Sequence, residues 1–308
     1  MNEHAITLSP TKFPHLGAIL LSASLGAISQ GGSAAAQTLI GLDYASATGQ
    51  NEIRSIDTAT GQTTLLNSFT FDSGTWVEGT VVSNPSAGKL YVESGAQTLY
   101  TFDLASGEIL STAPLQMFMQ ALIVDRQDRL IGIDYSSNTR HNEIRLVNPN
   151  NGNAVLLNSF SFDSGTWVEG TVVSNPSAGK LYVESGAQTL YTFDLASGQI
   201  LSTVPLDTSL QALAVDAYGL LIGIDYLSAT GQNELRRVDP TTGKTRVLNT
   251  FAFDSGGWVD GTIVPNLPAG KLYIESSLPT LYTFGLVNGQ TLSTVPLDTF
   301  MEALALNR

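Results

Sequence analysis

Leu39-Ile40-Gly41-Leu42-Asp43-Tyr44 recurs as Leu130-Ile131-Gly132-Ile133-Asp134-Tyr135 and again as Leu221-Ile222-Gly223-Ile224-Asp225-Tyr226, stepping from 39 to 130 to 221 with an offset of 91 residues each time. Around this block the copies are close: Leu65 to Thr112 matches Leu156 to Thr203 with two changes, Thr70 to Ser161 and Glu108 to Gln199. Identity that high records a recent duplication, so a residue is not functional merely because it is repeated. Each copy also divides in two. Ile53-Arg54-Ser55-Ile56-Asp57-Thr58-Ala59-Thr60-Gly61 parallels Leu99-Tyr100-Thr101-Phe102-Asp103-Leu104-Ala105-Ser106-Gly107. A half-unit of about 45 residues with four short strand segments has the length of a propeller blade. Three copies of two blades predict an all-β, six-bladed β-propeller over 37–308, with repeat units 39–129, 130–220 and 221–308.

The ends of the repeat favour a ring over three tandem immunoglobulin-like sandwiches. Gln120-Ala121-Leu122-Ile123-Val124-Asp125, or its equivalent from Gln211, precedes the second and third Leu-Ile-Gly blocks, but nothing like it precedes Leu39. The missing strand stands at the other end of the chain as Glu302-Ala303-Leu304-Ala305-Leu306-Asn307. A closed circle in which the last strand completes the first blade explains this permutation and removes the exposed edges of an open sheet. Separate sandwiches would need neither the permutation nor the half-repeats. The Asp-x-x-Thr/Ser-Gly element at Asp57, Asp103, Asp194 and Asp239 reads as a hairpin turn: the Asp oxygen accepts from backbone N–H groups and the Gly takes the left-handed conformation. Asn148 with Gly152 approximates it, and Gly285 with Gly289 has lost the Asp.

Composition agrees with many short strands and narrows function. The 308 residues are 43% hydrophobic and 13% charged, with a net charge of -13. That balance excludes phosphate-backbone recognition, which needs Lys and Arg, and favours a cation or a basic partner. With no cysteine, disulfides, thiolate zinc sites and a Cys nucleophile are excluded. At the N-terminus, Lys12, an apolar run from Leu16 to Ile28 and Ser33-Ala34-Ala35-Ala36 read as an export signal spanning 1–36. The run is shorter than the roughly 18 apolar residues a membrane span needs. Removal after Ala36 gives a secreted or periplasmic protein with no integral membrane segment, and a monomer is expected.

The segments Glu78-Gly79-Thr80-Val81-Val82, Gly88-Lys89-Leu90-Tyr91-Val92 and Leu99 to Gly107 resemble blades of the six-bladed gluconolactonase, NHL-repeat and TolB-like propellers. Blades of that style cover nearly the whole chain after residue 36. In the gluconolactonase-like enzymes a Glu in a Glu-Gly-Pro context holds a divalent metal, and the resemblance assigns that place to Glu78, Glu169 and Asp260. Thr80, Thr171 and Thr262 stand where the Pro would be, and no Asn and Asp complete the set.

If the closing strand is innermost, Glu78, Gln120, Glu169, Gln211, Asp260 and Glu302 open the six inner strands and ring one mouth of the channel. Crowded carboxylates there call for protonation or a bound cation, and Ca2+ or another divalent cation suits all-oxygen ligands. Glu78, Glu169, Asp260 and Glu302 are the metal candidates; a hydrated polar rim is the plainer reading. The loops Asp72 to Trp76, Asp163 to Trp167 and Asp254 to Trp258 lead into that rim. Trp76, Trp167 and Trp258 with Asp72, Asp163 and Asp254 form a candidate ligand face for a sugar or a protein partner, unless each Trp packs between blades. The Asn51-Glu52, Asn142-Glu143 and Asn233-Glu234 pairs, with Arg54, Arg145 and Arg236, read as solvated ladders or local ion pairs worth little, on outer strands. A hydrolytic triad finds no support around His141, and no phosphate loop or dinucleotide fingerprint occurs. The sequence therefore leads to an exported, non-catalytic binding propeller, with a metal-dependent lactonase-like hydrolase as the alternative.

Overall fold

Alternation of apolar residues over four to seven positions, punctuated by Asp/Asn and Gly, gives short strands and tight turns throughout. The computed structural model describes residues 38–307 except 46, 73–79, 163–171, 217, 228, 254–262 and 277. In the first blade β1 (Leu39–Ala45), β2 (Gln50–Ile56) and β3 (Thr63–Phe69) join the last strand of the chain. The second holds β4 (Val81–Asn84), β5 (Lys89–Ser94), β6 (Thr98–Asp103) and β7 (Ile109–Pro114), and the third β8 (Ala121–Val124), β9 (Leu130–Ser136), β10 (His141–Val147) and β11 (Ala154–Phe160). The fourth is β12 (Val172–Asn175), β13 (Lys180–Ser185), β14 (Thr189–Asp194) and β15 (Ile200–Pro205); the fifth is β16 (Ala212–Val215), β17 (Leu221–Leu227), β18 (Gln232–Val238) and β19 (Thr245–Phe251). The sixth is β20 (Ile263–Asn266), β21 (Lys271–Glu275), β22 (Thr280–Gly285) and β23 (Thr291–Pro296), after which β24 (Ala303–Leu306) returns to the start.

The closure is the one the permuted termini predict. β24 pairs antiparallel with β1, with Leu39 opposite Leu306, Ile40 opposite Ala305, Gly41 opposite Leu304 and Leu42 opposite Ala303. Asn307 donates its N–H to the Thr38 carbonyl at 2.9 Å and Glu302 donates to Leu42 at 2.8 Å. The inner strands β4, β8, β12, β16, β20 and β24 each pack on the next, and β24 packs on β4. The fold is a six-bladed β-propeller. Inner strands are covered on both faces by neighbouring blades, which is why they read as continuous apolar runs such as Ala121-Leu122-Ile123-Val124, all buried. Only the outermost strands face water. There, one β-bulge per blade, between Ile53 and Arg54 in the first and Thr101 and Phe102 in the second, shifts the register of the outer pair. A bulge increases local twist and makes an edge a poorer template for another chain.

The turns behave as read. Asp57 Oδ1 accepts from the N–H of Ala59 at 2.8 Å, and Asp103 Oδ1 from Ser106 at 2.8 Å. Even the turn that lost its Asp keeps the backbone bond from Gly289 N–H to Gly285 O at 2.8 Å. Gly61 does more than adopt a φ of +77°. A Cβ there would lie 1.9 Å from the carbonyl oxygen of Pro296, at the end of β23 in the neighbouring blade.

Two kinds of seam alternate around the ring. Seams inside a repeat, such as that between the first and second blades, are filled by aromatic rings: Phe69 meets Phe71 edge-on at 4.8 Å, Phe71 meets Tyr100 at 4.9 Å, and Phe69 lies 4.8 Å from Phe102. Phe160, Phe162, Tyr191 and Phe193 repeat this between blades three and four, and Phe251, Phe253, Tyr282 and Phe284 between five and six. Seams between repeats are aliphatic near the axis, where Val82, Leu99, Leu122, Val124 and Leu130 cluster between blades two and three. Toward one face of the ring these same seams become acidic.

Candidate functional site

Inner strands begin, and the strands paired to them end, at one face of the ring. Val81 at the start of β4 lies opposite Val92 near the end of β5, and Ala121 at the start of β8 opposite Ile133. Residues just before the inner strands therefore sit beside those just after Val92 and Ile133. Gln120, Gln211 and Glu302 stand immediately before the inner strands β8, β16 and β24, each half-buried. The Oε1 atoms of Gln120 and Gln211 are buried and make no hydrogen bond. Glu78, Glu169 and Asp260, like Trp76, Trp167, Trp258, Asp163 and Asp254, lie outside the described residues. Among the described residues, no three Asp, Glu or His side chains come together in an arrangement that could hold a metal ion.

Asp72, the last described residue before 73–79, is fixed to the second blade. Its carboxylate accepts from Ser94 Oγ at 2.7 Å and from Thr98 Oγ1, and its N–H donates to Tyr100 Oη at 3.0 Å. On the other side of 73–79 Thr80 is buried, and its Oγ1 accepts from the N–H of Leu122 on the next inner strand at 3.1 Å. The described residues on either side of 73–79 are thus tied to the second and third blades.

The acidic residues that dominate this face are ones the sequence reading did not single out. Glu93, next to last in β5, follows the same alternation as Tyr91 and so faces the third blade; Asp134 on β9 shares its face with Leu130 and so looks back at the second. Across the strands Asp134 lies opposite Glu143, and Arg145 binds Glu143 through Nε at 3.0 Å. The same set recurs as Glu184, Asp225, Glu234 and Arg236 between blades four and five, and as Glu275, Asp43, Glu52 and Arg54 between six and one. Of the two readings of Asn51-Glu52 and its equivalents, the local ion pair is present, with Arg54 Nε bonded to Glu52 at 2.8 Å, and the solvated ladder is corrected: Asn51 is 0% exposed, Glu52 6% and Glu143 2%. Third strands of these blades are covered on both faces, so their polar residues are buried rather than wet. The signal available was a Glu or Asp closing an otherwise apolar strand, as in Lys89-Leu90-Tyr91-Val92-Glu93.

Burial sets the protonation of these groups. Glu93 is wholly buried and neither carboxyl oxygen makes a hydrogen bond. Loss of solvation, with Asp134 and Asp72 nearby, pushes its pKa up to about 9; the Met119 N–H offsets part of this without reaching hydrogen-bond geometry. Asp134 is pushed up to about 6, first by burial and then by Glu143, against the pull of the Tyr135 N–H and Arg145. Burial also raises Asp43, but there Thr299 donates its hydroxyl to Oδ2 at 2.7 Å and opposes the shift. Thr208 donates to Asp225 in the same way. At the corresponding place before β8 stands Met117, which has no hydroxyl to offer Asp134.

His141 meets a hydroxyl after all. Its Nδ1 lies 2.7 Å from Ser161 Oγ, two residues that stand where the first repeat has Gln50 and Thr70. Both are exposed, and no described carboxylate bonds the other ring nitrogen, so the pair lacks the group that orients the base in a triad.

The chain matches no protein-family model and no curated protein sequence. It is similar in fold to many solved structures. A chain of the nidogen/laminin complex superposes with a TM-score of 0.62 at 14% identity, covering 88% of this chain and 98% of that one. A Bacteroides caccae protein of unknown function gives 0.59 at 13% identity, over 88% and 99% of the two chains. An oligogalacturonate lyase in complex with manganese gives 0.53 at 15% identity, over 81% of this chain and 72% of that one. Identities this low carry the propeller fold and nothing about activity. Among the described residues no helix is long and apolar enough to cross a membrane.

Proposed function

We propose that this is an exported, non-catalytic propeller that binds a ligand or protein partner on the face where its inner strands begin. The observation that carries the reading is a pair of fixed residues at this face: Asp72 is bonded to Ser94 and Thr98, and Thr80 to Leu122 of the third blade. The sequence between such flanks carries a Trp and an acidic residue in each of three repeats, Trp76 with Glu78, Trp167 with Glu169 and Trp258 with Asp260, side chains suited to holding a ligand or a partner. A propeller within the nidogen/laminin complex is compatible with this use, whereas the lyase is a reminder that the same ring also supports catalysis.

Replacing Trp76, Trp167 and Trp258 together by Ala is expected to abolish partner recovery from the envelope fraction of the source cells while leaving the melting temperature within a few degrees, at about 2–4 °C per kcal/mol. Identical partner sets for both proteins would contradict the assignment of this face; a collapse of stability would mean the rings pack between blades. Export is tested separately by sequencing the N-terminus of the secreted or periplasmic protein, which is expected to begin at Gln37. An intact Met1 would contradict it.

A further inference from the structure

We propose that the seam between the second and third blades is a proton-operated latch, closed while the Glu93 carboxyl carries its proton and loosened when that proton leaves. Once ionised, the buried carboxylates of Glu93, Asp134 and Glu143 share a single guanidinium, that of Arg145.

The residue beside the Asp sets this seam apart. Glu93 is 0% exposed and the Met119 N–H is the one donor that offsets its burial, so as a carboxylate it would hold a poorly compensated charge, whereas as an acid it is neutral. The groups that face it are all accounted for among the described residues. Asp72 comes from the segment after β3 and is already bonded to Ser94 and Thr98; Asp134 comes from β9; Glu143 and Arg145 come from β10 and bind each other. Met117 and Met119 close the side toward β8, and Met119 is fully buried against Leu99, Leu122 and Leu130. No cation is left over. At the seam between blades six and one, by contrast, the Thr299 hydroxyl caps Asp43, and between four and five Thr208 caps Asp225. The chain has three such seams but only one with Met in place of Thr.

The sign of the pH dependence follows. Glu93 is raised to about 9 in the folded protein against 4.5 as an ordinary glutamate, so folding favours its protonated form. The stability this provides is fully present below about pH 4.5 and is lost progressively as pH rises toward 9. Asp134, raised to about 6 from 3.8, adds a loss in the same direction at lower pH. The seam is therefore tight in acid and weak in alkali.

The absence of cysteine makes a local test clean. Met119→Cys and Met301→Cys place thiols at equivalent, fully buried positions in the uncapped seam and in the seam capped by Thr299. Labelling both with a thiol reagent from about pH 6 to about pH 10 shares the thiol's own titration, so the ratio of rates reports the seam alone. The ratio of Met119→Cys to Met301→Cys labelling is expected to rise by up to about a hundredfold between about pH 7 and about pH 9.5, since each pH unit between 4.5 and about 9 shifts the opening equilibrium by up to about tenfold. Adding Glu93→Gln should remove the rise, and Met117→Thr should reduce it by supplying the missing hydroxyl. In the protein without introduced thiols, Glu93→Gln should raise the melting temperature by several degrees at about pH 9.5 and hardly at all at about pH 5. A ratio that stays flat with pH, or one that rises equally with Glu93→Gln, overturns the proposal. A calcium-induced stabilisation at pH 9 that Glu93→Gln abolishes would also overturn it, by giving the carboxylate to a metal.

Discussion

Deleting Glu302 to Arg308 is expected to abolish the cooperative thermal transition of the protein. β24 is four residues long, yet it touches three blades. Leu304 and Leu306 pack with Val264, Tyr273 and Leu281 of blade six, while Ala303 and Ala305 pack with Val81, Leu90 and Val92 of blade two. Burying two leucines contributes about 3–6 kcal/mol before any strand pairing is counted, and removal also exposes the edge of β1 along its hydrogen-bonding side. That is comparable with the whole stability of a typical domain. A gentler variant makes the effect measurable: Leu304→Ala, 2% exposed in the wild type, is expected to cost about 2–5 kcal/mol in denaturant unfolding. A loss below about 0.5 kcal/mol, the range of surface substitutions, would mean that the strand is not seated in the core.

Gly61→Ala is the second large effect, and its size separates two roles of turn glycines. A residue with a side chain at φ near +70° costs about 1–2 kcal/mol anywhere. Gly88, with φ +64° and nothing within 4 Å of an added Cβ, should show only that cost when changed to Ala. At Gly61 the new methyl would also stand 1.9 Å from the Pro296 carbonyl, and backbone on both sides leaves no flexible group to move aside. Gly152 against Pro114 and Gly243 against Pro205 repeat that contact at 1.9 Å. Gly61→Ala should therefore cost about 3 kcal/mol or more, roughly twice Gly88→Ala, measured by the same urea midpoints. Equal losses would contradict close approach of the blades at these turns.

The ring was readable because its sequence signals are positional. The strand Glu302 to Asn307 is out of phase with the repeat, and only a partner at the opposite terminus brings it back. The Asp and Gly of each turn act on backbone within four residues, so their roles follow from local chemistry. What neighbouring blades do to each other was not readable in the same way. Alternation says that Glu93 and Tyr91 share a face, but not that this face meets Asp134, which comes from a different repeat unit. Nor does it say which face is dry. Asn51 and Glu52 looked like a solvated pair because a sheet with one wet face is the common case, whereas the third strand of a blade has none. Gly61 likewise signals a turn in sequence, and the carbonyl it admits lies at the far end of the chain.

The most direct test of the closed ring is a disulfide between Leu39→Cys and Leu306→Cys, introduced into a chain that has no other cysteine. These residues stand opposite each other in the β1–β24 pair. Under oxidation they are expected to form an intramolecular bond in monomeric protein, identified by mass spectrometry of the linked peptides, and the oxidised variant is expected to be more stable than the same variant reduced by roughly 5 kcal/mol because the loop they close spans nearly the whole ring. Free thiols, or only intermolecular cross-links, in protein that is otherwise folded would show that the two ends of the chain do not meet.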